Sequence, residues 1–450
     1  MNKTILLDNK GASSFQLNAF LALSEYRVLA LLASTLCFLS IVDASIQQFQ
    51  MYLLGGRIIF GASLIKIVLL GVVMLGCVSH PKIKISAIPL LTWLLCIVYL
   101  IFEVVYLNLT CGLSVSDILA SYNSYYLLLL IGPAIVIFRG TVSQRTLIRC
   151  SVLIFAVCAM VGAAQYLTAS PILYTESLDG SFSIPSWRFI GEIRAFSFFG
   201  SAMAFGLFCA FSGALGIALT RTMPIRATFL FIASGLACYT TLTRVCYLIF
   251  FGACVSSLVF TFGKKPSRGH WQPLLWFLLG ISTILIGINS VTGADVNTLQ
   301  DSGSLLARLD QWVYFSDLFL HSSPVHQMFG LGLVQSESLS SLYGMVIDNT
   351  VLALLLHIGV IGLVLFGALL TKIWMYLRCQ ATTTQQPFVI AVASLWATIT
   401  CVGMFNIVFS AFGATFALAI LCECRKEYGR GIGTRQQPEA MSKLIWAKDK

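Results

Sequence analysis

Long apolar runs separated by short polar segments dominate this chain. Most runs are about 20 residues long, which at about 1.5 Å per helical residue matches the hydrocarbon core of a bilayer. The runs lack the alternation of apolar and polar residues that a membrane barrel strand shows. The pattern therefore predicts an all-α, polytopic membrane protein of about twelve transmembrane helices, near residues 28–47, 59–78, 86–106, 121–138, 147–167, 196–219, 227–243, 245–262, 273–291, 350–376, 387–403 and 405–422.

Composition excludes a soluble fold. Hydrophobic residues make up 58% of the 450 positions and charged residues only 10%, whereas soluble domains carry about 25% charged residues. The 14 cysteines lie mostly inside apolar runs, where Cys behaves as a small hydrophobic side chain. We therefore expect no disulfide framework and no metal site.

The net charge of +10 is better explained by membrane topology than by nucleic-acid binding. Lys and Arg concentrate in alternate loops and in the tail, and positive charge marks the cytoplasmic side of a membrane. Both termini are therefore expected in the cytoplasm. The predicted order is a cytoplasmic N-terminus (1–27), helices one to nine (28–291), a periplasmic loop (292–349) with an amphipathic helix at 305–320, helices ten to twelve (350–422) and a basic cytoplasmic tail (423–450).

All cations on the segments predicted to lie outside are arginines: Arg57, Arg188, Arg194, Arg244 and Arg308. We expect Arg194 to begin the sixth helix and Arg244 to end the seventh. Arg244 interrupts an otherwise apolar run, where a charge is energetically expensive. Guanidinium groups stay charged and form paired hydrogen bonds to phosphate oxygens, so the cluster suits a lipid pyrophosphate. Alternatively, each Arg pairs with a nearby acid or extends to the headgroups.

Three further charges, Asp43, Lys66 and Glu103, lie within predicted helices. Ionisable groups inside a membrane are functional candidates by default. The simpler interpretation is a structural ion pair between Lys66 and either Asp43 or Glu103, and it is the one favoured here.

Acid–base candidates lie in the outer segments. Asp348 stands where the large loop returns to the membrane, and it could serve as a general base, as the N-cap of helix ten, or as both. His321 and His326 flank Pro324 in the loop, where histidines are usually only solvated. The chain contains no HExxH, Walker or GxSxG motif, so zinc protease, ATPase and hydrolase functions gain no support.

Four segments resemble the O-antigen polymerase and ligase superfamily of bacterial envelope glycan assembly. The first segment, RAFSFFGSAMAFGLF (194–208), is similar to the family's Arg followed by a helix rich in small residues. The second, TTLTRVCYLIFFGA (240–253), resembles the family's Thr-x-Ser-Arg segment. SGSLLARLDQWVYFSDLFLHSSPVHQMFGLGL (302–333) resembles the loop that runs from an Arg to Gly-x-Gly. IDNTVLALLLHIGVIGLVLF (347–366) resembles the Asn-containing helix with its Gly-aliphatic-aliphatic-Gly turn.

The resemblance implies glycosyl transfer from an undecaprenyl-pyrophosphate glycan in the bacterial inner membrane, without metal, cofactor or nucleotide. A sugar hydroxyl of the acceptor would attack the anomeric carbon, and the lipid pyrophosphate would leave. The implied partners are these glycan substrates, membrane lipid and a chain-length regulator. The implied site comprises Arg194, Arg244 and Arg308 at the pyrophosphate, Asp348, or less readily His321 or Glu192, as the activating base, and Arg188 and Asn349 as further substrate contacts.

Three functions remain open at this point. Ligases of the superfamily typically show His-Asn where the loop returns to the membrane, and this chain has Asp348-Asn349, which favours a polymerase. A flippase or other transporter for lipid-linked sugars would also have many helices with both ends inside. Transporters often show two related halves, and no such repeat is visible in the sequence.

Overall fold

The computed structural model describes residues 68, 87–112, 114–115, 118, 144–170, 188–189, 192–199, 201–263, 315, 318–332 and 350–402. This part of the chain is mostly helical. Its elements are α1 (Ala87–Cys111), α2 (Gln144–Thr168), β1 (Arg188–Phe189), β2 (Glu192–Ile193), α3 (Ala202–Leu219), α4 (Pro224–Tyr239), α5 (Arg244–Phe262), α6 (Pro324–Phe329), α7 (Thr350–Thr384) and α8 (Pro387–Val402).

Seven of the predicted helices fall on described residues, and all seven are helical. Within the described ranges, four helical segments are long and apolar enough to cross a membrane: Leu147–Thr168, Ala202–Leu219, Arg244–Phe262 and Leu352–Thr384. Apart from Val68, the predicted helices near 28–47, 59–78, 121–138, 273–291 and 405–422 lie outside the described residues. The helical architecture with apolar, membrane-compatible helices is confirmed, and the number twelve stays a prediction.

Helix α3 lies at the centre of the bundle and is buried along most of its length. It packs against α4, α5 and α8, and small residues let the backbones approach closely. A Cβ atom on Gly216 would lie 3.0 Å from the carbonyl oxygen of Ala227 on α4, and one on Gly213 would lie 2.5 Å from the ring of Phe250 on α5. Small residues at such crossings are typical of helices that associate within a membrane.

Helices α3, α4 and α5 form an antiparallel up-and-down series in which two tight turns join successive helices. The turn at 220–223 joins α3 to α4, and Pro224 begins α4 at a position where its missing N–H needs no partner. The turn at 240–243 joins α4 to α5. We define the site end of the bundle as the end that contains residues 194–199 and 240–244. Phe260, late in α5, packs on Trp374 in the second half of α7.

Two predicted helix boundaries were wrong at the site end. Helix α3 begins at Ala202 rather than at 196, because Ser201 is extended and its Oγ accepts a hydrogen bond from the Ala204 N–H. Helix α4 ends at Tyr239 rather than at 243, because the chain turns through Thr240 and Thr241, whose hydroxyls donate to carbonyl oxygens of the last helical turn. Arg194 therefore precedes α3 without beginning it, and Arg244 begins α5 instead of ending α4.

Candidate functional site

Residues 194–199 form an irregular segment that is largely buried at the site end. Strands β1 and β2 pair as an antiparallel hairpin in which Arg188 lies opposite Ile193 and Phe189 opposite Glu192. The chain then turns at Ser197, whose φ of 53° is uncommon for a residue with a side chain. Ala195 and Ser197 are completely buried. Buried backbone outside regular structure must find hydrogen-bond partners elsewhere.

Gln165 of α2 supplies those partners. Its Oε1 accepts hydrogen bonds from the backbone N–H groups of Phe196 (3.1 Å) and Ser197 (2.7 Å), and its Nε2 donates to the carbonyl oxygen of Ser197 (3.2 Å). The Ser197 hydroxyl donates to the carbonyl oxygen of Cys158, about two helical turns before Gln165 in α2 (2.7 Å). A single buried amide thus fixes the backbone immediately after Arg194.

The 240–243 turn lies directly beside this segment. The Ala195 N–H donates to the carbonyl oxygen of Thr240 at 2.9 Å, so the residue after Arg194 is tied to the turn that leads into Arg244. Leu242 also adopts a positive φ, 47°. The two irregular segments that carry Arg194 and Arg244 are therefore joined through their backbones.

The side chains of the two arginines differ in exposure. Arg194 is half-buried and lies within electrostatic reach of the Cys246 thiol on the first turn of α5. Arg244 is exposed at the first position of α5. Both cations are next to the N-terminus of α5, and the helix dipole favours an anion at such an end. This arrangement of positive charge is of the kind that favours a multiply charged anion.

A second irregular feature lies in α7, which is broken at Gly359. This residue has φ 62° and ψ −173°, a combination that is essentially restricted to glycine. The break divides α7 into an N-terminal arm (350–358) and a C-terminal arm (360–384). The resemblance had indicated a turn between Gly359 and Gly362, and the break lies at its first residue.

The segment after α6 packs into this break. The Leu331 N–H donates to the carbonyl oxygen of Leu356 at 2.7 Å. Gly330, at φ 89°, lies so close to the backbone that an added Cβ would be 2.5 Å from the carbonyl oxygen of His357. Phe329 packs on the rings of Phe102 and Tyr106 of α1. The GLG sequence (330–332) thus makes a close backbone-to-backbone contact with α7 through Gly330 and Leu331.

Tyr99 and Glu103 of α1 complete the surroundings of the break. The Tyr99 Oη lies 2.5 Å from the carbonyl oxygen of Ile358 and 2.8 Å from Oε1 of Glu103. Glu103 is completely buried, and within the part of the chain that the structure describes its Oε2 has no hydrogen-bond partner. The ion pair predicted for Glu103 would involve Lys66, which lies outside the described residues, as does Asp43.

The remaining predicted site residues are placed as follows. His321 is exposed, next to Ser322, whose hydroxyl donates to the carbonyl oxygen of Phe319. Only the backbone of Arg188 and Glu192 is described, in the hairpin before Arg194. Arg308, Asp348 and Asn349 lie outside the described residues.

Of the predicted surface helix 305–320, Phe315 is helical and packs against Ala353 and Leu356 on the N-terminal arm of α7. Among the described residues, no group of three or more His, Cys, Asp or Glu side chains could hold a metal ion.

Sequence reasoning missed Gln165, Tyr99 and the buried His357. An amide inside an apolar run is a visible signal for Gln165, because a polar group in a membrane helix needs a partner. His357 carries the same kind of signal, since an ionisable side chain inside an apolar run is a functional candidate. Tyr99 carries no such signal, since its importance depends on contacts with a distant part of the chain.

Replacing Gln165 tests how the Arg194 segment is held. We expect Gln165→Leu, which removes all three hydrogen bonds to residues 196 and 197, to destabilise the protein by about 1–3 kcal/mol for each backbone group left unpaired. Gln165→Glu keeps the acceptor and should cost less. Thermal unfolding of the purified protein in detergent measures both variants. Equal melting temperatures for Gln165→Leu and the wild type would contradict the role given to this amide.

No protein-family model matches the chain, and no curated protein matches it either.

Proposed function

We propose that this chain is a membrane glycosyltransferase that polymerises undecaprenyl-pyrophosphate-linked oligosaccharide repeat units into a surface polysaccharide at the periplasmic face of the bacterial inner membrane. The observation that carries the proposal is the backbone connection between the segments bearing Arg194 and Arg244. These segments are distant in sequence, and both belong to the stretch that resembles the polymerase and ligase superfamily.

The proposed chemistry requires a charged leaving group to be stabilised. A hydroxyl of the acceptor sugar forms a new bond to the anomeric carbon of the donor, while the bond between that carbon and the pyrophosphate oxygen breaks. Arg194 and Arg244, with Arg308, hold the pyrophosphate and offset the negative charge that develops on it. Asp348 accepts the proton of the attacking hydroxyl. Neither a metal ion nor a nucleotide takes part in this scheme.

The charge distribution supports the periplasmic assignment of the site end. Among the described residues, Arg145 and Arg149 stand in the first turns of α2, and Arg221 and Arg226 stand at the turn between α3 and α4. These positions are at the end opposite the site end. Because cytoplasmic loops are enriched in Lys and Arg, the opposite end is assigned to the cytoplasm.

A second candidate function is transport of the same lipid-linked sugars. The break of α7 at Gly359 beside the buried Glu103 favours it, because transporters often use interrupted helices and intramembrane acids at their substrate and ion sites. The Arg-bearing segments favour the polymerase, since they offer a fixed anion site at one end of the bundle.

Glycan profiling of a deletion strain separates these functions. Polysaccharide from the deletion strain is compared with that from the strain carrying the wild-type gene. A polymerase predicts that the deletion leaves single repeat units attached to the lipid A-core, and that the wild-type gene restores a ladder of chain lengths. Long polymer retained on undecaprenyl lipid would identify a ligase instead. Repeat units retained on the cytoplasmic leaflet would identify a transporter, and an unchanged profile would contradict all three.

A further inference from the structure

The broken helix leaves backbone carbonyl groups that must be satisfied within the protein. In a continuous helix the carbonyl oxygens of residues 356 and 358 would accept from N–H groups four positions later. At the break, the Leu356 oxygen accepts from the Leu331 N–H, and the Ile358 oxygen lies 2.5 Å from the Tyr99 Oη. α1 therefore supplies the donor that the N-terminal arm of α7 lacks.

The number of protons shared among the oxygens of Ile358, Tyr99 and Glu103 determines the protonation state of Glu103. Tyr99 Oη accepts from the Gly362 backbone N–H and has two oxygen neighbours at short distance, the Ile358 carbonyl oxygen and Glu103 Oε1 at 2.8 Å. Each contact needs a proton, because two oxygens at these distances repel each other otherwise. A carbonyl oxygen carries no proton and a phenol carries one. If Tyr99 donates to Ile358, the second proton must belong to Glu103.

Burial independently favours the neutral acid. Glu103 has no exposed surface, and its Oε2 has no partner among the described residues. A carboxylate with one unpaired oxygen in apolar surroundings is strongly disfavoured relative to the protonated form. The hydrogen-bond count and the burial therefore agree.

We propose that Glu103 is a positioning residue that works as a neutral acid: it donates to Tyr99, which in turn donates to Ile358 and thereby fixes the N-terminal arm of α7. That arm begins at Thr350, two residues after Asp348, and it also receives the segment 330–332 through Leu356. The consequence for activity rests on the proposed function, because Asp348 is its base. The hydrogen-bond chain itself does not depend on that function.

Infrared spectroscopy of the full-length protein in lipid nanodiscs tests the proton directly. At neutral pH, the wild type minus Glu103→Gln difference spectrum should show the C=O stretch of a protonated carboxyl group that shifts in D2O. Tyr99→Phe removes the acceptor of the Glu103 proton without changing the acid, so it should move that band to higher frequency. A difference spectrum that contains only carboxylate bands would overturn the proposal. So would an unmoved band in Tyr99→Phe.

The effect on activity is measured by the polysaccharide ladder in complemented deletion strains, with membrane levels of each variant matched. Glu103→Gln keeps an N–H donor of similar size and should retain the ladder within about twofold. Glu103→Met has a similar length without a donor, and Tyr99→Phe lacks the second donor, so each should shorten or weaken the ladder by about tenfold or more. Equal ladders from the Gln and Met variants would overturn the positioning role. If the wild type itself restores no polymer, the proposed function fails while the infrared result still decides the state of Glu103.

Discussion

The variant Gly359→Ala is expected to lose both stable folding and activity. The φ and ψ angles of Gly359 lie in a region that costs a residue with a side chain about 1–3 kcal/mol. The added Cβ would also collide with the carbonyl group of Met328 and lie 2.6 Å from the Gly330 nitrogen. Since that backbone is held by further contacts to α1, neither side can move away freely. The amount of the variant found in membranes and its melting temperature in detergent should both fall sharply.

Gly367 provides a matched control in the same helix. A Cβ on Gly367 would meet no heavy atom within 4 Å in the described structure, and Ala is favoured over Gly within a helix by about 1 kcal/mol. Gly367→Ala should therefore be neutral or slightly stabilising. Similar melting temperatures for Gly359→Ala and Gly367→Ala would show that the helix break is not required for the fold.

Removal of either arginine from the site end should abolish polymer formation while leaving the fold intact. We expect Arg194→Ala and Arg244→Ala each to lower the rate of polymerisation by roughly 100- to 1,000-fold, the range seen when one preorganised electrostatic contact to a transition state is removed. Arg244→Lys should recover part of the rate, because Lys keeps the charge without the paired donors of Arg. Ladder length and total polymer in complemented deletion strains measure the effect.

Arg226 is the control for the arginine variants. It is exposed near the start of α4, at the opposite end of the bundle. Arg226→Ala changes the net charge by the same amount as Arg244→Ala, and it should leave the ladder unchanged. A full ladder from both Arg194→Ala and Arg244→Ala, at wild-type protein levels, would contradict the proposed anion site.

The helices could be predicted from the sequence because their apolar runs match a membrane thickness, whereas the irregular segments that build the site could not. The residues just before α3 are as apolar as the helix itself, so hydropathy extended the helix back to 196 and concealed the turn at Ser197. The threonines at 240 and 241 end α4 through hydroxyl bonds to carbonyl groups, a local effect that an average over an apolar window does not register.

The contacts around the helix break illustrate a different limit. Hydropathy does not single out Gly359, since glycine is common in membrane helices, and only the resemblance marked it, as the start of a turn. Its role depends on the approach of residues 328–330, which are distant along the chain. Glu103 was recognisable as a candidate because it is charged within an apolar run. Its partnership with Tyr99, which lies one turn earlier, and the link to Ile358 required the three-dimensional structure.

Reconstitution of the purified protein tests the central claim most directly. Lipid-linked repeat units extracted from the deletion strain are added to liposomes that contain the full-length protein and no nucleotide. The account predicts a ladder of lipid-linked oligomers, with one undecaprenyl pyrophosphate released for each new glycosidic bond, and loss of both products with Arg244→Ala. Movement of intact single repeat units across the bilayer, with no glycosidic bond formed and no pyrophosphate lipid released, would contradict the polymerase and identify a transporter.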